Sequence, residues 1–298
     1  MPTLLREPTS AASHGVGFLL AVGLTWLFWH RCAARSRAAA SAGDDPTLAF
    51  ERGKLVSMLI FGLSLMLCYG ASGLYHGADA DGRTLATLRR LDHVGIYLLI
   101  AGTYTPGVWG LMRGRWRRRT LQVVWAFALC CASRTWLGGV PTRWISTTIY
   151  LVMGWGVLIC YRELARGLGH RALLPLPVGG VFYSLGALIN LSGWPGPSPA
   201  AFGAHEVFHL FVLAGTACHV WFMLRVVVPA AAPAPAPVMR GVPRRRDWRP
   251  AGLGRRFSLE AGEASPRPMS PDRLPRPGRA PQGPRETSPG VEAGPDRP

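Results

Sequence analysis

Charge is scarce in this sequence, and negative charge scarcer still: 16% of the 298 residues are charged, with 16 Asp and Glu against 33 Lys and Arg. With 49% hydrophobic residues gathered in long blocks, that shortage excludes an ordinary soluble domain and points to a polytopic membrane protein. The net charge of +17 suggests a nucleic-acid binder at first sight, but 14 of the 33 basic residues lie at or beyond Arg225, outside the hydrophobic region. No nucleic-acid partner is expected; the partners are membrane lipids, and the basic loops and tail suit a membrane surface. Cysteine is sparse too. Cys32, Cys68, Cys130, Cys131, Cys160 and Cys218 lie in or beside apolar segments with no CxxC, so they read as small buried hydrophobes rather than a disulfide or metal framework. The first apolar run, GVGFLLAVGLTWLFW, lacks a clear small-residue cleavage site after it and is expected to be a transmembrane helix rather than a signal peptide.

Runs long enough to cross about 30 Å of hydrocarbon occur near residues 15–30, 54–75, 94–112, 120–138, 144–161, 172–192 and 203–228. The fold class is therefore all-α, a seven-transmembrane helix bundle. The fourth span is the weakest, because Arg134 interrupts it. Gly62, Gly70, Ala71 and Gly73 suit close helix packing in lipid. Residues 1–228 form the membrane domain, and the Pro- and Arg-rich 229–298, with no apolar periodicity, are expected to be a disordered tail.

Ionisable residues within or beside a span are costly, so their positions carry information. The end of an even span and the start of an odd one share one membrane surface. His76 at the end of span 2, Asp92 and His93 before span 3, and His205 and His209 at the start of span 7 therefore meet, with His14 on the same side. His30 and His170 fall on the opposite side, and His219 lies about 21 Å along its helix from His205. His205 and His209 at i, i+4 share a helix face, as do Ser72 and His76. Two histidines on one helix and a third from another make a three-nitrogen metal site with an open fourth position; zinc fits this imidazole set well, and ligand type alone leaves iron and nickel open. Asp92 can then orient or deprotonate water, and the Ser72 hydroxyl can hydrogen-bond a substrate carbonyl. Other uses stay open: Asp92 as a partner of Arg89 or Arg90, Ser72 as a packing residue, and HEVFH (205–209) as the HExxH motif of a metalloprotease with Glu206 as base. That last reading leaves the Ser72 to His76 turn without a role.

Five blocks resemble, in order, the haemolysin III family, the bacterial branch of the progestin and adipoQ receptors: SGLYH (72–76), LDHVGIYLLIAGTYTP (91–106), YLVMGWGVLICYREL (150–164), VGGVFYSLGALI (178–189) and HEVFHLFVLAGTACH (205–219). The likeness covers about residues 7–226 and not the tail. It implies a multi-pass protein of a bacterial inner (plasma) membrane with one zinc on His76, His205 and His209, and with Asp92 and Ser72 at the family's acid and serine. Because the wider superfamily includes alkaline ceramidases, it also implies hydrolysis of a lipid amide or ester, with a sphingolipid-like substrate. The alternative is a non-enzymatic receptor-like or cytolytic protein with structural zinc. The family's N-terminal Glu, Asn and His signature stands here as Glu7, Ser10 and His14, and no role is assigned to that segment. Receptor members place the N-terminus, and with it the zinc face, in the cytoplasm. The loop charges place the opposite face there, with thirteen basic residues against six on the zinc side.

Overall fold

A backbone that crosses lipid has no water to bond, so each apolar run must satisfy its peptide groups internally, and helices do so. The structure, a computed structural model, describes residues 5–196 and 202–232. Helix α1 spans Pro8–Ser41, α2 Asp45–Gly77, α3 Gly82–Leu111 and α4 Gly114–Gly138. Helices α5 (Arg143–Trp155) and α6 (Val157–Ala165) form one interrupted rod, and α7 (His170–Leu173) and α8 (Pro175–Ser192) another. Helix α9, Ala204–Phe222, runs on into a π-helical turn, Met223–Val227. Among the described residues this makes seven rods, six of them long and apolar enough to cross a membrane. The seventh, α4, falls short: its first turns carry Arg115, Arg117, Arg118 and Arg119, and even its apolar remainder is interrupted by Gln122 and the expected Arg134. Residues 233–298, most of the expected tail, lie outside the described residues.

The polarity of the bundle is that of a membrane protein. Large apolar side chains such as Leu19, Val123, Leu137 and Ile159 face outward, while Glu51, Lys54, His76, Asp92 and His209 are buried. A protein in water would be arranged the other way round. The chain is therefore an integral, multi-pass membrane protein.

Small residues set the helix spacing. A Cβ on Gly95 of α3 would stand 2.9 Å from the Cys68 backbone of α2, and one on Gly70 of α2 would stand 3.1 Å from the Phe18 ring of α1. Gly62 is closed in by Thr25 and Gly73 by the Gly15 backbone, so the glycines expected to serve packing all face α1. Polar ties then fix the bundle at several levels. The Tyr69 hydroxyl of α2 donates to Thr216 Oγ1 of α9 at 2.6 Å, and Tyr183 of α8 bonds the same oxygen at 2.8 Å. At the end of the bundle away from the histidines, Lys54 Nζ donates to Glu51 Oε1 at 3.0 Å and to the carbonyls of Val228 and Ala230. Arg35 bonds both oxygens of Glu51 at 3.2 Å. This joins α1, α2 and the last turn of the membrane domain.

The rod of α5 and α6 is broken at Gly156. Carbonyls left short of partners there are met by the Tyr104 hydroxyl of α3, which lies 2.8 Å from Met153 O and 3.1 Å from Gly154 O. Irregular backbone at membrane depth is tolerated where protein or a cavity covers it, and Tyr104, Gly154 and Val157 all line the cavity described below. Outside the membrane, Asp81 caps α3 by accepting from the backbone N–H groups of Thr84 and Arg83 and from the Thr84 hydroxyl. These bonds hold its carboxyl below the usual range, the Thr84 N–H first. The cap is therefore present at neutral pH and lost as pH falls through that lowered value.

Because the backbone of Cys68 cannot move aside cheaply, Gly95→Ala is expected to destabilise the protein by about 1–3 kcal/mol. Gly23→Ala, where nothing lies within 4 Å of the added atom, is expected to be neutral or slightly stabilising. Thermal unfolding of the detergent-purified variants checks both; equal melting points would contradict the α2–α3 contact.

Candidate metal centre

Two helices bring the three expected ligands together. His76 closes the last turn of α2, and His205 and His209 share the first turns of α9. One ligand nitrogen from each lies within 4.8 Å of the other two, and the Nε2 atoms of His76 and His205 are 3.1 Å apart. This juxtaposition requires an even number of crossings between α2 and the start of α9, as the parity argument supposed.

The other ring nitrogens show which atoms are free. His76 Nδ1 donates to Glu7 Oε2 at 2.5 Å, and His205 Nδ1 donates to Asn190 Oδ1 at 3.2 Å. The Ser13 hydroxyl gives its proton to Ser10 O at 2.9 Å, so its oxygen is the acceptor for His209 Nδ1 at 3.2 Å. With every ring proton placed on Nδ1, the neutral imidazoles keep their Nε2 lone pairs free, and those of His76 and His205 face each other. Two such lone pairs cannot bond one another; a cation can bridge them. Imidazole nitrogens on a tetrahedral zinc at about 2.0–2.1 Å stand roughly 3.3 Å apart, close to the His76–His205 separation. The donor set, three neutral imidazoles each fixed by an outer hydrogen bond, therefore fits a first-row transition metal.

The N-terminal segment is part of this arrangement. Glu7 N donates to His76 O at 2.9 Å, and Arg6 reaches Tyr75 O at 2.6 Å and Glu7 Oε1 at 3.4 Å. His14 stacks flat on His209, with centroids 3.6 Å apart and planes 6° from parallel, and both its ring nitrogens lack a partner. Sequence reasoning assigned this segment nothing, yet Glu7, Ser10, Ser13 and His14 form a polar stripe at helical spacing at a span entrance, which was the available signal. Asn190 was also missed: it ends an even span on the same surface, but the parity argument was applied only to ionisable residues.

Glu206, which the HExxH pattern would make a base, is otherwise engaged. Its Oε2 accepts from Gly203 N at 2.8 Å and caps α9, while its Oε1 accepts from Ser10 Oγ at 2.9 Å. It ties α1 to α9 instead of facing the cluster.

Ser72 and Asp92 are both buried and both line a cavity of about 220 Å³ that also touches His14, His205 and His209. Asp92 Oδ2 lies 3.8 Å from His93 Nδ1, and among the described residues it forms no ion pair with Arg89 or Arg90. His93 itself bonds Arg89 O at 3.0 Å and stays apart from the cluster. From the histidines the cavity runs between α3, α5, α8 and α9 to Met112, Leu173 and Met223. The interval from Asp92 to Met112 on α3 is about 30 Å of helix, a full hydrocarbon thickness. Its walls are mostly apolar; His219, held to Leu176 O at 3.3 Å, is the deepest histidine along them.

The fold and site define a polytopic helical membrane protein with a buried three-histidine cluster at the mouth of a lipid-length cavity. A family model described as Haemolysin-III related matches residues 3–220. The chain is 32% identical over 239 residues to a hemolysin-3 homolog of Bacillus subtilis (strain 168), covering 76% of this chain and 98% of that protein. It is also 32% identical over 236 residues to hemolysin-3 of Bacillus cereus, covering 76% and 94%. The chain belongs to the haemolysin III family.

Loss of an outer hydrogen bond to a ligand histidine commonly weakens a metal site 10–100-fold. Glu7→Ala, Ser13→Ala and Asn190→Ala are each expected to weaken metal binding by about that factor in a chelator competition, with Ser192→Ala unchanged. Wild-type affinity in all three would mean that these bonds do not orient the ligands.

Proposed function

We propose that His76, His205 and His209 hold zinc and that the protein hydrolyses a lipid amide or ester in a ceramidase-like reaction. The observation that carries this reading is the position of the cluster, at the mouth of a cavity long enough for an acyl chain and lined by both Ser72 and Asp92. Zinc, when bound, supplies Lewis acidity and lowers the pKa of water. The apolar walls hold the chain and keep bulk water from the reacting carbonyl. Asp92 takes the proton of the attacking water and returns it to the leaving nitrogen or oxygen as the acyl bond breaks, releasing a fatty acid and an amine or alcohol. The Ser72 hydroxyl donates to the oxygen on which charge develops. The inner membrane of a bacterium is the setting this reading implies.

A second reading keeps the zinc structural in a non-enzymatic, receptor-like or cytolytic protein, in line with the names of the two relatives. It is supported by the way the ligands and their partners join α1, α2, α8 and α9. The intramembrane protease reading is disfavoured, since both carboxylate oxygens of Glu206 are engaged.

The two readings separate on accumulation and activity. For the enzyme, His205→Ala with His209→Ala accumulates in the membrane without zinc and without release of fatty acid from ceramide, whereas Ser72→Ala and Asp92→Asn keep zinc and lose about 10²–10³-fold in rate. Failure of the double variant to accumulate, with no fatty acid released by the zinc-loaded wild type, supports structural zinc. Glu206→Gln, the protease discriminator, is expected to keep its activity.

A further inference from the structure

His14, on the second turn of α1, stands against the cluster without being one of its ligands. It is 4% exposed, and both of its ring nitrogens are buried without a hydrogen bond in the protein. The ring is therefore held by its faces and not by its nitrogens. Tyr69 of α2 meets it in a T-shaped contact, with centroids 5.1 Å apart and planes at 68°. His209 of α9 lies flat against it, at 3.6 Å and 6°.

The two contacts differ in kind. Neutral aromatic rings prefer an offset or edge-to-face arrangement, with centroids about 4.5–7 Å apart, because their electron-rich faces repel. The Tyr69 contact obeys that preference; the His209 contact is a close, flat stack. Such a stack becomes attractive when one ring carries positive charge, since the other then presents its electron-rich face to a cation. His209 acquires such charge when its Nε2 ligates a metal ion.

The backbone is built for this approach. Gly15 and Gly17 follow His14 closely on α1. A Cβ on Gly73 of α2 would stand 3.5 Å from Gly15 N, and one on Gly17 would meet Leu213 of α9 at 3.0 Å and Tyr69 at 3.1 Å. Small residues thus let α1 sit tight against both ligand-bearing helices. Ser13, the residue before His14, meets the same His209 ring at its edge, with Oγ 3.2 Å from Nδ1. Two consecutive residues of α1 therefore fix one ligand ring, Ser13 by its edge and His14 by its plane.

We propose that His14 is a positioning residue of the metal centre: its stacked imidazole holds the plane of the His209 ring and favours the metal-bound form of that ring over the metal-free form. His14 acts through its face and touches neither metal nor substrate. The inference rests on the metal reading of the cluster and is independent of any lipid hydrolysis.

The test is metal binding by the full-length protein in detergent, read by chelator competition and by the visible absorption of the cobalt-loaded form, with thermal unfolding of the metal-free protein alongside. His14→Leu keeps apolar bulk and removes the aromatic face; His14→Phe keeps a face and removes the nitrogens. His14→Leu is expected to bind metal about tenfold more weakly, with an altered cobalt spectrum, and His14→Phe to stay within about threefold of wild type. The metal-free forms of both variants are expected to melt at or above the wild-type temperature, because two unpaired buried nitrogens are gone. A residue that served packing alone would instead lower the melting point and leave affinity and spectrum as they were. Wild-type affinity in His14→Leu overturns the inference while the metal reading stands, as do equal losses in both variants, which would assign the role to a nitrogen. A wild-type protein that binds neither cobalt nor zinc sinks the metal reading and this inference with it. If His14→Leu does not accumulate, His14→Met, also without a ring, takes its place; failure of both makes His14 a packing residue and overturns the inference.

Discussion

The structure depends on one constraint: a polar group inside the bilayer has no water to turn to and must find its partner in the protein. Each histidine of the cluster meets half of that demand with a protein acceptor, His76 with Glu7, His205 with Asn190 and His209 with Ser13. The other half, an unused Nε2 on each ring, can be met together by a single cation. The acceptors come from α1 and α8, while the ligands stand on α2 and α9, so the demand of three rings organises four helices. Glu206 strengthens the same junction by capping α9 and accepting from Ser10 of α1.

Much of this was legible in the sequence, and the reason is also the bilayer. Apolar length announced the spans, and parity alone brought His76 to His205 and His209. What parity cannot supply is rotation about a helix axis, which decides whether Glu206 faces the histidines or the end of its own helix. It also gives no weight to neutral residues: Ser13 and Asn190 carry no charge, so nothing marked them as costly, although they fix two of the three rings. The break at Gly156 was hidden for a different reason. A glycine within a continuous apolar run looks like packing, and only the Tyr104 hydroxyl, 52 positions earlier, shows that backbone carbonyls are exposed there.

The two ends of the bundle are built differently. Away from the histidines, Lys54, Glu51 and Arg35 satisfy one another and the last carbonyls of the membrane domain, a closed network that uses its charges for assembly. At the histidine end, ring nitrogens are left over, in the metal cluster and in His14 beside it. The apolar cavity runs between the two ends. A lipid entering it would meet hydrocarbon-like walls over most of its length and reactive groups only at the mouth, an asymmetry that matches an amphiphile with one polar end.

The central claim is that the three imidazoles bind one metal through nitrogen. X-ray absorption at the zinc edge of the purified, zinc-loaded protein tests it most directly. The account predicts one zinc per chain with histidine nitrogens at about 2.0–2.1 Å, and loss of that signal in His76→Ala. Sulfur ligands at about 2.3 Å, or an unchanged spectrum in His76→Ala, would contradict it.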